Sequence, residues 1–446
     1  MSIRLSTEKL SEEDLIKLQV GLRIEGEHSF FEKQNAKRFN RPLPDRSVDC
    51  FIHNKQNGYI DVPFHLGRLY YRNNGIPENI NALLPKNKTE FEFIGKPMEP
   101  QIPFIALAKD YLDREDCVLL HARPGFGKTF ISTYLAHSYQ YTTLVIVNRR
   151  GLLTQWKETV EKYTTGKAWI VGEKYPEYKV HFLISMIDSV KKLGTDLLNR
   201  MGTVILDEAH MLATPTQIPT ILQCKPQKLI LCTATPDKDL RTTTILDSLV
   251  WKNRVVKRYD GYLKVITYRT GILINERKKG RYLDWPAYLK EQQLSEERNQ
   301  QIVDWVKMNL KSKILIMTWG ADHAPHISSL IEKEGIQTDW MSKNKKKYKD
   351  GTVLVGSFGK IGVGHDPSAT EDWDGLHYDL LLLVGTTVAM ALLEQLWGRA
   401  FRSKKPHIVI FLEENKKAES HWKEMRKLAK MYQAEIQNVT EPISLI

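Results

Sequence analysis

A lysine behind a glycine pair, in Ala122-Arg123-Pro124-Gly125-Phe126-Gly127-Lys128-Thr129, is the composition of a loop that can hold a polyphosphate. Gly125 and Gly127 let backbone N–H groups turn toward phosphate oxygens where a side chain would block the approach, and the N-terminus of a following helix adds partial positive charge. Lys128 then reaches the β and γ phosphates, Thr129 offers its hydroxyl to Mg2+, and Pro124 and Phe126 complete the cradle. Downstream, Asp207-Glu208-Ala209-His210 supplies two adjacent carboxylates. Asp207 suits a magnesium ion held through water, and Glu208 suits orienting and deprotonating an attacking water. A third segment, Gln395-Leu396-Trp397-Gly398-Arg399-Ala400-Phe401-Arg402, puts Arg399 and Arg402 three apart. On a helix that spacing sets both guanidinium groups on one face, toward the charge that develops on a γ-phosphate. Cradle, carboxylates and distant arginines together predict ATP hydrolysis at a cleft between two moving lobes.

The elements that must position these groups show as apolar runs. Residues 118–120 ahead of the loop and 130–136 behind it give strand, glycine loop and helix. Ala122 stands where the strict pattern has glycine, which reads as the mark of a subclass. Residues 203–206 predict a buried parallel strand delivering Asp207 and Glu208 to its carboxyl end. Runs at 143–147, 180–184 and 228–232 continue the series, so a parallel sheet with helices on both faces is expected. The rhythm recurs at 313–317, 352–355, 380–384 and 407–411, predicting a second sheet without a phosphate loop. Lys257-Arg258-Tyr259-Asp260-Gly261 is the expected hinge.

Residues 1–95 fit neither sheet and predict a small α+β accessory domain, followed by a first lobe over 96–256 and a second over 257–446. Ser11-Glu12-Glu13-Asp14 reads as the start of a capped helix, and Asp49-Cys50-Phe51-Ile52 and Gly58-Tyr59-Ile60-Asp61-Val62 as strands joined at an Asn57-Gly58 turn. Lys33, Lys37, Arg38 and Arg41, interleaved with Phe30, Phe31 and Phe39, describe either a duplex grip or a solvated basic face. Two further basic clusters, Lys343/Lys345/Lys346/Lys347/Lys349 and Arg277/Lys278/Lys279/Arg281, leave the same alternatives open. Trp373 reads as a strand-separating wedge or a packing tryptophan.

The ordered motifs resemble those of superfamily 2 helicases and translocases with DEAH lettering, over roughly 96–415. Met98-Glu99-Pro100-Gln101 is similar to an adenine-reading segment, which makes Gln101 the implied base contact. The segment 147–156 and Ile184-Ser185-Met186-Ile187-Asp188-Ser189 resemble strand-tracking motifs, and Thr233-Ala234-Thr235-Pro236 the coupling motif. The segment 356–366 resembles the fifth motif, with Gly364 and Asp366 on the nucleotide side. The resemblance implies RecA-like lobes, ATP with Mg2+, and a bond from His210 across the cleft to Gln395. It makes Thr233 and Thr235 the link to the nucleic-acid track, with Arg149, Ser185, Thr318 and Ser357 near the phosphodiester backbone. Arg150-Gly151 and Gly356-Ser357 depart from the common pattern and bear on strand contacts alone. Within the superfamily the chain looks most similar to phage branch-migration helicases of the UvsW type. That resemblance implies a DNA helicase or translocase acting on forked or branched DNA. An RNA helicase or transcript-release factor, and a translocase that does not unwind, remain alternatives.

Composition agrees. With 65 basic and 53 acidic residues the net charge is +12, which suits a polyanionic partner. Length predicts about three domains, and 42% hydrophobic residues suffice for real cores. Cys50, Cys117, Cys224 and Cys232 lack paired metal spacing and read as reduced core thiols. Neither an eighteen-residue apolar run nor a signal-peptide core is visible, so a cytoplasmic protein, a monomer or weak oligomer without a membrane partner, is expected. Nothing resembles a nuclease site.

Overall fold

The computed structural model describes residues 1–26, 28, 30–73, 84–237, 239–279, 282–342, 345, 348–361 and 372–445. Contacts divide the chain into two units, Met1–Ala122 with Phe126–Lys257, and Arg258–Ile446, with which Arg123–Gly125 is grouped.

The first unit begins with β1 (Ser2–Ser6), β2 (Arg23–Ile24), β3 (Val48–Asp49), β4 (Ile52–Asn54) and β5 (Tyr59–Pro63). β1, β5 and β4 form a small antiparallel sheet in that order. Gly58, at φ +63°, lies in the β4–β5 turn, where its missing Cβ removes the steric penalty of a left-handed backbone. The Ser11 side chain caps helix Glu12–Gly21 by accepting from the Asp14 N–H. This sheet shares its apolar core with the larger one: Met1, Ile3, Leu5 and Val62 lie in one cluster with Ile218 and Leu222. Ser2 N–H donates to Cys224 O at 2.9 Å, and buried Asp61 pairs with both Arg4 and Lys225.

The larger sheet comprises β6 (Cys117–Ala122), β7 (Thr143–Val147), β8 (Ala168–Ile170), β9 (Phe182–Met186), β10 (Thr203–Leu206), β11 (Lys228–Thr233) and β12 (Arg254–Lys257). Their order is β12-β6-β11-β10-β7-β9-β8, and every pairing is parallel. Alternate residues face opposite sides, as a pleated strand requires. Leu119, Leu144, Val204 and Leu229 enter one cluster, while Val118, Val145, Ile205 and Ile230 enter the other, with residues of helices Ile102–Glu115, Lys128–His137 and Arg150–Tyr163. A strand buried on both faces must be apolar throughout, which is why these runs read so clearly.

The second unit contains β13 (Lys264–Arg269), a two-stranded ribbon of β14 (Lys278–Lys279) and β15 (Tyr282–Leu283), then β16 (Ile314–Thr318), β17 (Thr338–Met341), β18 (Val353–Ser357), β19 (Leu380–Leu383), β20 (His407–Leu412) and β21 (Glu435–Val439). Its sheet is also seven-stranded and parallel, ordered β17-β18-β16-β19-β20-β13-β21. The chain is therefore α/β, with two parallel-sheet lobes in tandem and a small antiparallel region at the N-terminus.

Candidate active site

Strand β6 ends at Ala122, and the chain turns through Gly125 at φ +77° and Gly127 at φ +91° before helix Lys128–His137 begins. L side chains rarely adopt that backbone, so both glycines are required by conformation. A Cβ on Gly127 would also lie 2.6 Å from Gln101 Nε2 and displace that side chain. Gln101 is buried, donates from Nε2 to Phe126 O at 2.9 Å and accepts the Met98 N–H on Oε1 at 2.9 Å. The residue that the resemblance makes a base reader thus also braces the phosphate loop. Lys128 Nζ donates to Ala122 O at 2.8 Å, which folds the ammonium back over the loop.

Strand β10 delivers Asp207, 6% exposed, beyond its carboxyl end. Its Oδ2 accepts the Trp156 indole N–H at 2.7 Å and its Oδ1 the Glu208 N–H at 3.0 Å. Burial, then the neighbouring Glu208 charge, pushes the Asp207 carboxyl up to about 6, against the Trp156 hydrogen bond and Lys128. Glu208 turns the chain at φ +49°, a conformation costing a non-glycine residue about 1 kcal/mol or more. The turn starts helix Ala209–Leu212. His210 Nδ1 is 2.7 Å from Thr233 Oγ1 and 3.5 Å from Glu208 Oε2, and Thr233 Oγ1 accepts the Thr235 N–H at 3.1 Å. The three residues of the expected coupling path are therefore joined in a chain of hydrogen bonds within the first unit.

These groups fit a nucleoside triphosphate with a divalent cation. Left-handed glycines open the cradle at a helix N-terminus, and a cation beside Asp207 would restore the charged form that burial disfavours. Among the described residues no cluster of three or more His, Cys, Asp or Glu could hold a metal. Thr129 and Asp207 alone suit Mg2+, which keeps waters and takes oxygens from its substrate's phosphates.

Other expected positions divide. Thr318 and Ser357 end adjacent strands in direct register, β16 against β18. Both are buried, and Thr318 Oγ1 donates to Gly320 O at 3.2 Å. Ser185 is fully buried and donates to Met186 O at 2.9 Å, while Arg149 is partly exposed at the N-cap of helix Arg150–Tyr163. Of these four, only Arg149 has a partly exposed side chain. Gln395 sits on helix Met390–Trp397, but Arg399 and Arg402 do not share a helix face. The helix ends at Trp397, because Gly398 is a poor helix former and the next amides bond three residues back, Arg399 to Leu396 and Ala400 to Trp397. Both arginines lie in turns. Gly364 and Asp366 lie outside the described residues. Trp373 is partly exposed and donates its indole N–H to Leu376 O at 2.9 Å.

Trp156 is the participant that sequence reasoning missed. Leu152, Leu153, Trp156 and Val160 mark the apolar face of its helix, yet no local pattern shows that its N–H meets a carboxylate 51 residues away.

A family model described as "Type III restriction enzyme, res subunit" matches residues 87–238. Protein 161L of Invertebrate iridescent virus 6, named as a helicase, is 27% identical over 411 residues, 84% of this chain and 89% of its own length. QP509L of African swine fever virus (isolate Tick/South Africa/Pretoriuskop Pr4/1996), named as an ATP-dependent RNA helicase, is 24% identical over 325 residues, 67% of this chain and 61% of that one. This chain thus spans less than two thirds of QP509L. Among solved structures, S. cerevisiae Dbp5 bound to RNA and ADP BeF3 aligns over 77% of this chain and 90% of its own, at 13% identity and a TM-score of 0.52. That likeness shows the fold, a pair of RecA-like sheets. T4 UvsW aligns over 96% of both chains at 14% identity and a TM-score of 0.37. The family model and the viral relatives support a superfamily 2 helicase, a nucleic-acid-dependent ATPase.

Proposed function

We propose that the protein is an ATP-dependent DNA helicase or translocase that unwinds or branch-migrates forked and branched DNA in recombination, replication or repair. The observation that supports its ATPase part is the buried Asp207 carboxylate, hydrogen-bonded by Trp156 and set beside Glu208 in the same unit as Gly127 and Lys128. ATP with Mg2+ supplies the phosphoanhydride whose hydrolysis drives the cycle. Lys128 and the loop N–H groups bind phosphate, Thr129 and Asp207 hold the cation, and Gln101 contacts the base. Gly364 and Asp366 are assigned to the nucleotide. Glu208 takes the proton of the attacking water on its carboxylate. Arg399 and Arg402 supply positive charge to the transferring group, and Gln395 is the partner of His210. Thr233, bonded to both His210 and the Thr235 N–H, carries a change at the carboxylates toward the nucleic-acid track.

In this reading residues 1–95 are an accessory domain, with lobes over 96–256 and 257–446. The protein works in the cytoplasm, the host's if its origin is a phage, as a monomer or weak oligomer. Among the described residues no helix is long and apolar enough to cross a membrane. The RNA reading draws support from the name of the relative QP509L. An ATPase and strand-displacement panel over fork, Holliday-type, duplex and RNA substrates tests the choice. Forks and junctions should stimulate most. Stimulation by single-stranded RNA alone moves the protein to the RNA class, and stimulation by none refutes both.

A further inference from the structure

Between the end of β13 at Arg269 and helix Glu296–Met308 lies a segment that belongs to neither face of the second sheet. It contains the β14–β15 ribbon, with Lys278 opposite Leu283, and helix Trp285–Leu294. It has a small core of its own, Ile272, Ile274 and Tyr288 packed with Leu283, Trp285 and Leu289. Arg277 and Lys278 are exposed on it. The acids around them are engaged elsewhere. Glu276 accepts the Lys417 N–H, Asp284 caps the helix at the Ala287 N–H, Glu291 accepts from Asn275, and Glu419 pairs with Arg269. Three of these carboxylates accept neutral N–H groups and keep their charge, so Arg277 and Lys278 supply exposed local cations rather than a net positive surface.

Beside this charge runs a row of aromatic rings. Trp285, partly exposed, stacks on Tyr288 at 5.3 Å and 13° and meets Trp319 edge-on at 6.3 Å. Trp319, also partly exposed, meets Phe358 edge-on at 4.7 Å and is fixed by its indole N–H donating to Thr386 O at 2.8 Å. Lys417 Nζ stands 6.0 Å from the Trp285 ring centre. Trp319 directly follows Thr318 and Phe358 directly follows Ser357, so the row lies along the carboxyl edge of β16 and β18. The side chains of Thr318 and Ser357 are buried. Trp285 and Trp319 keep part of their surface exposed and Arg277 and Lys278 are exposed, while Phe358 and Tyr288 are buried beneath them.

We propose that this segment is a single-strand docking site, with Arg277, Lys278 and Lys417 meeting phosphates and the Trp285–Trp319 pair meeting an unpaired base. A row of indoles next to cations recognises single-stranded nucleic acid, because only there are base faces free to stack, while duplex offers phosphates alone. The inference rests on the proposed function and adds a location to it.

Fluorescence anisotropy of labelled oligo-dT and oligo-rU tests it, across a salt series, on the full chain and on Trp285→Ala, Trp285→Phe and the pair Arg277→Gln/Lys278→Gln. Trp285→Ala should weaken binding about tenfold, and Trp285→Phe should keep most of it, since stacking needs an aromatic face. The glutamine pair, exposed and remote from the core, should unfold at the parent's temperature. It should also flatten the log–log salt slope by about 1.4, two phosphates at about 0.7 each. The tighter of dT and rU names the natural strand, and either supports the site. Variants that match the parent in affinity and slope overturn the site alone. A parent that binds neither strand overturns the functional reading and the site with it.

Discussion

The two seven-stranded sheets share topology type and burial but differ at their carboxyl edges. In the first, the edge carries groups held away from their preferred states: glycines at φ +77° and +91°, Glu208 at +49°, and a buried Asp207 pushed up to about 6. In the second, buried polar groups among the described residues pair with one another, although Arg298 Nη1 and Glu413 Oε2 have no hydrogen-bond partner. Arg298 pairs with Glu413 at 2.7 Å, both side chains fully buried, and donates to Val384 O, while His323 Nε2 meets Asn299 Oδ1 at 2.9 Å. Strain and raised proton affinity mark an edge prepared for a ligand. Buried opposite charges paired across elements mark an edge that fixes its own loops. A parallel sheet thus supplies positions, and the residues just past its strands decide whether those positions hold a ligand or the fold itself.

Breaking each edge should have a different signature. Glu208→Gln keeps shape but removes the base, so nucleic-acid-stimulated turnover should fall by roughly 10²–10⁴ while nucleotide still binds. Turnover within a factor of two of the parent would remove Glu208 from the chemistry. In the second sheet Arg298→Ala strands a buried carboxylate and should cost about 3–5 kcal/mol in denaturant unfolding of that unit. The double variant Arg298→Met/Glu413→Leu should recover most of it, and failure to recover would mean that the pair is more than a mutual neutraliser. Trp156→Phe leaves packing nearly intact but deletes the hydrogen bond to Asp207. The Mg2+ concentration for half-maximal ATPase should rise by about tenfold or more, and an unchanged Mg2+ curve would make Trp156 a core residue only.

A smaller effect sharpens the comparison from the stability side. Burial, with Arg298 and then His326 nearby, lowers His323 to about 3. The unfolded chain binds that proton below about pH 6.5, whereas the folded chain refuses it until far lower. His323 therefore contributes its stability fully above that pH and loses it as pH falls, by about 1.4 kcal/mol per unit. His323→Gln should flatten the acid limb of the second unit's stability curve by one proton; an unaltered slope would contradict it.

Much of this was legible in the sequence. Strands buried on both faces announce themselves: β7, β10, β11, β16, β19 and β20 fall on or within about a residue of their apolar runs, and β6 within about two. The edge strands did not. β17 and β21, partly exposed, carry polar residues such as Asp339 and Glu435, and β8 spans three residues. β13 was also missed, for Lys264 and Arg269 bracket its short apolar stretch. At the site, local chemistry could be read directly: the glycines' left-handed turns follow from their type and spacing. What required the fold was every contact between distant segments, the Trp156–Asp207 bond above all. The helix expected beneath Arg399 and Arg402 failed for a local reason, Gly398, which was visible in the sequence but outweighed there by the three-residue spacing.

The most direct test of the proposal that hydrolysis needs Arg399 and Arg402 compares Arg402→Ala with the parent for nucleotide affinity and fork-stimulated ATPase. The account predicts near-normal affinity with turnover lower by about a thousandfold. Near-normal affinity with undiminished turnover would contradict it.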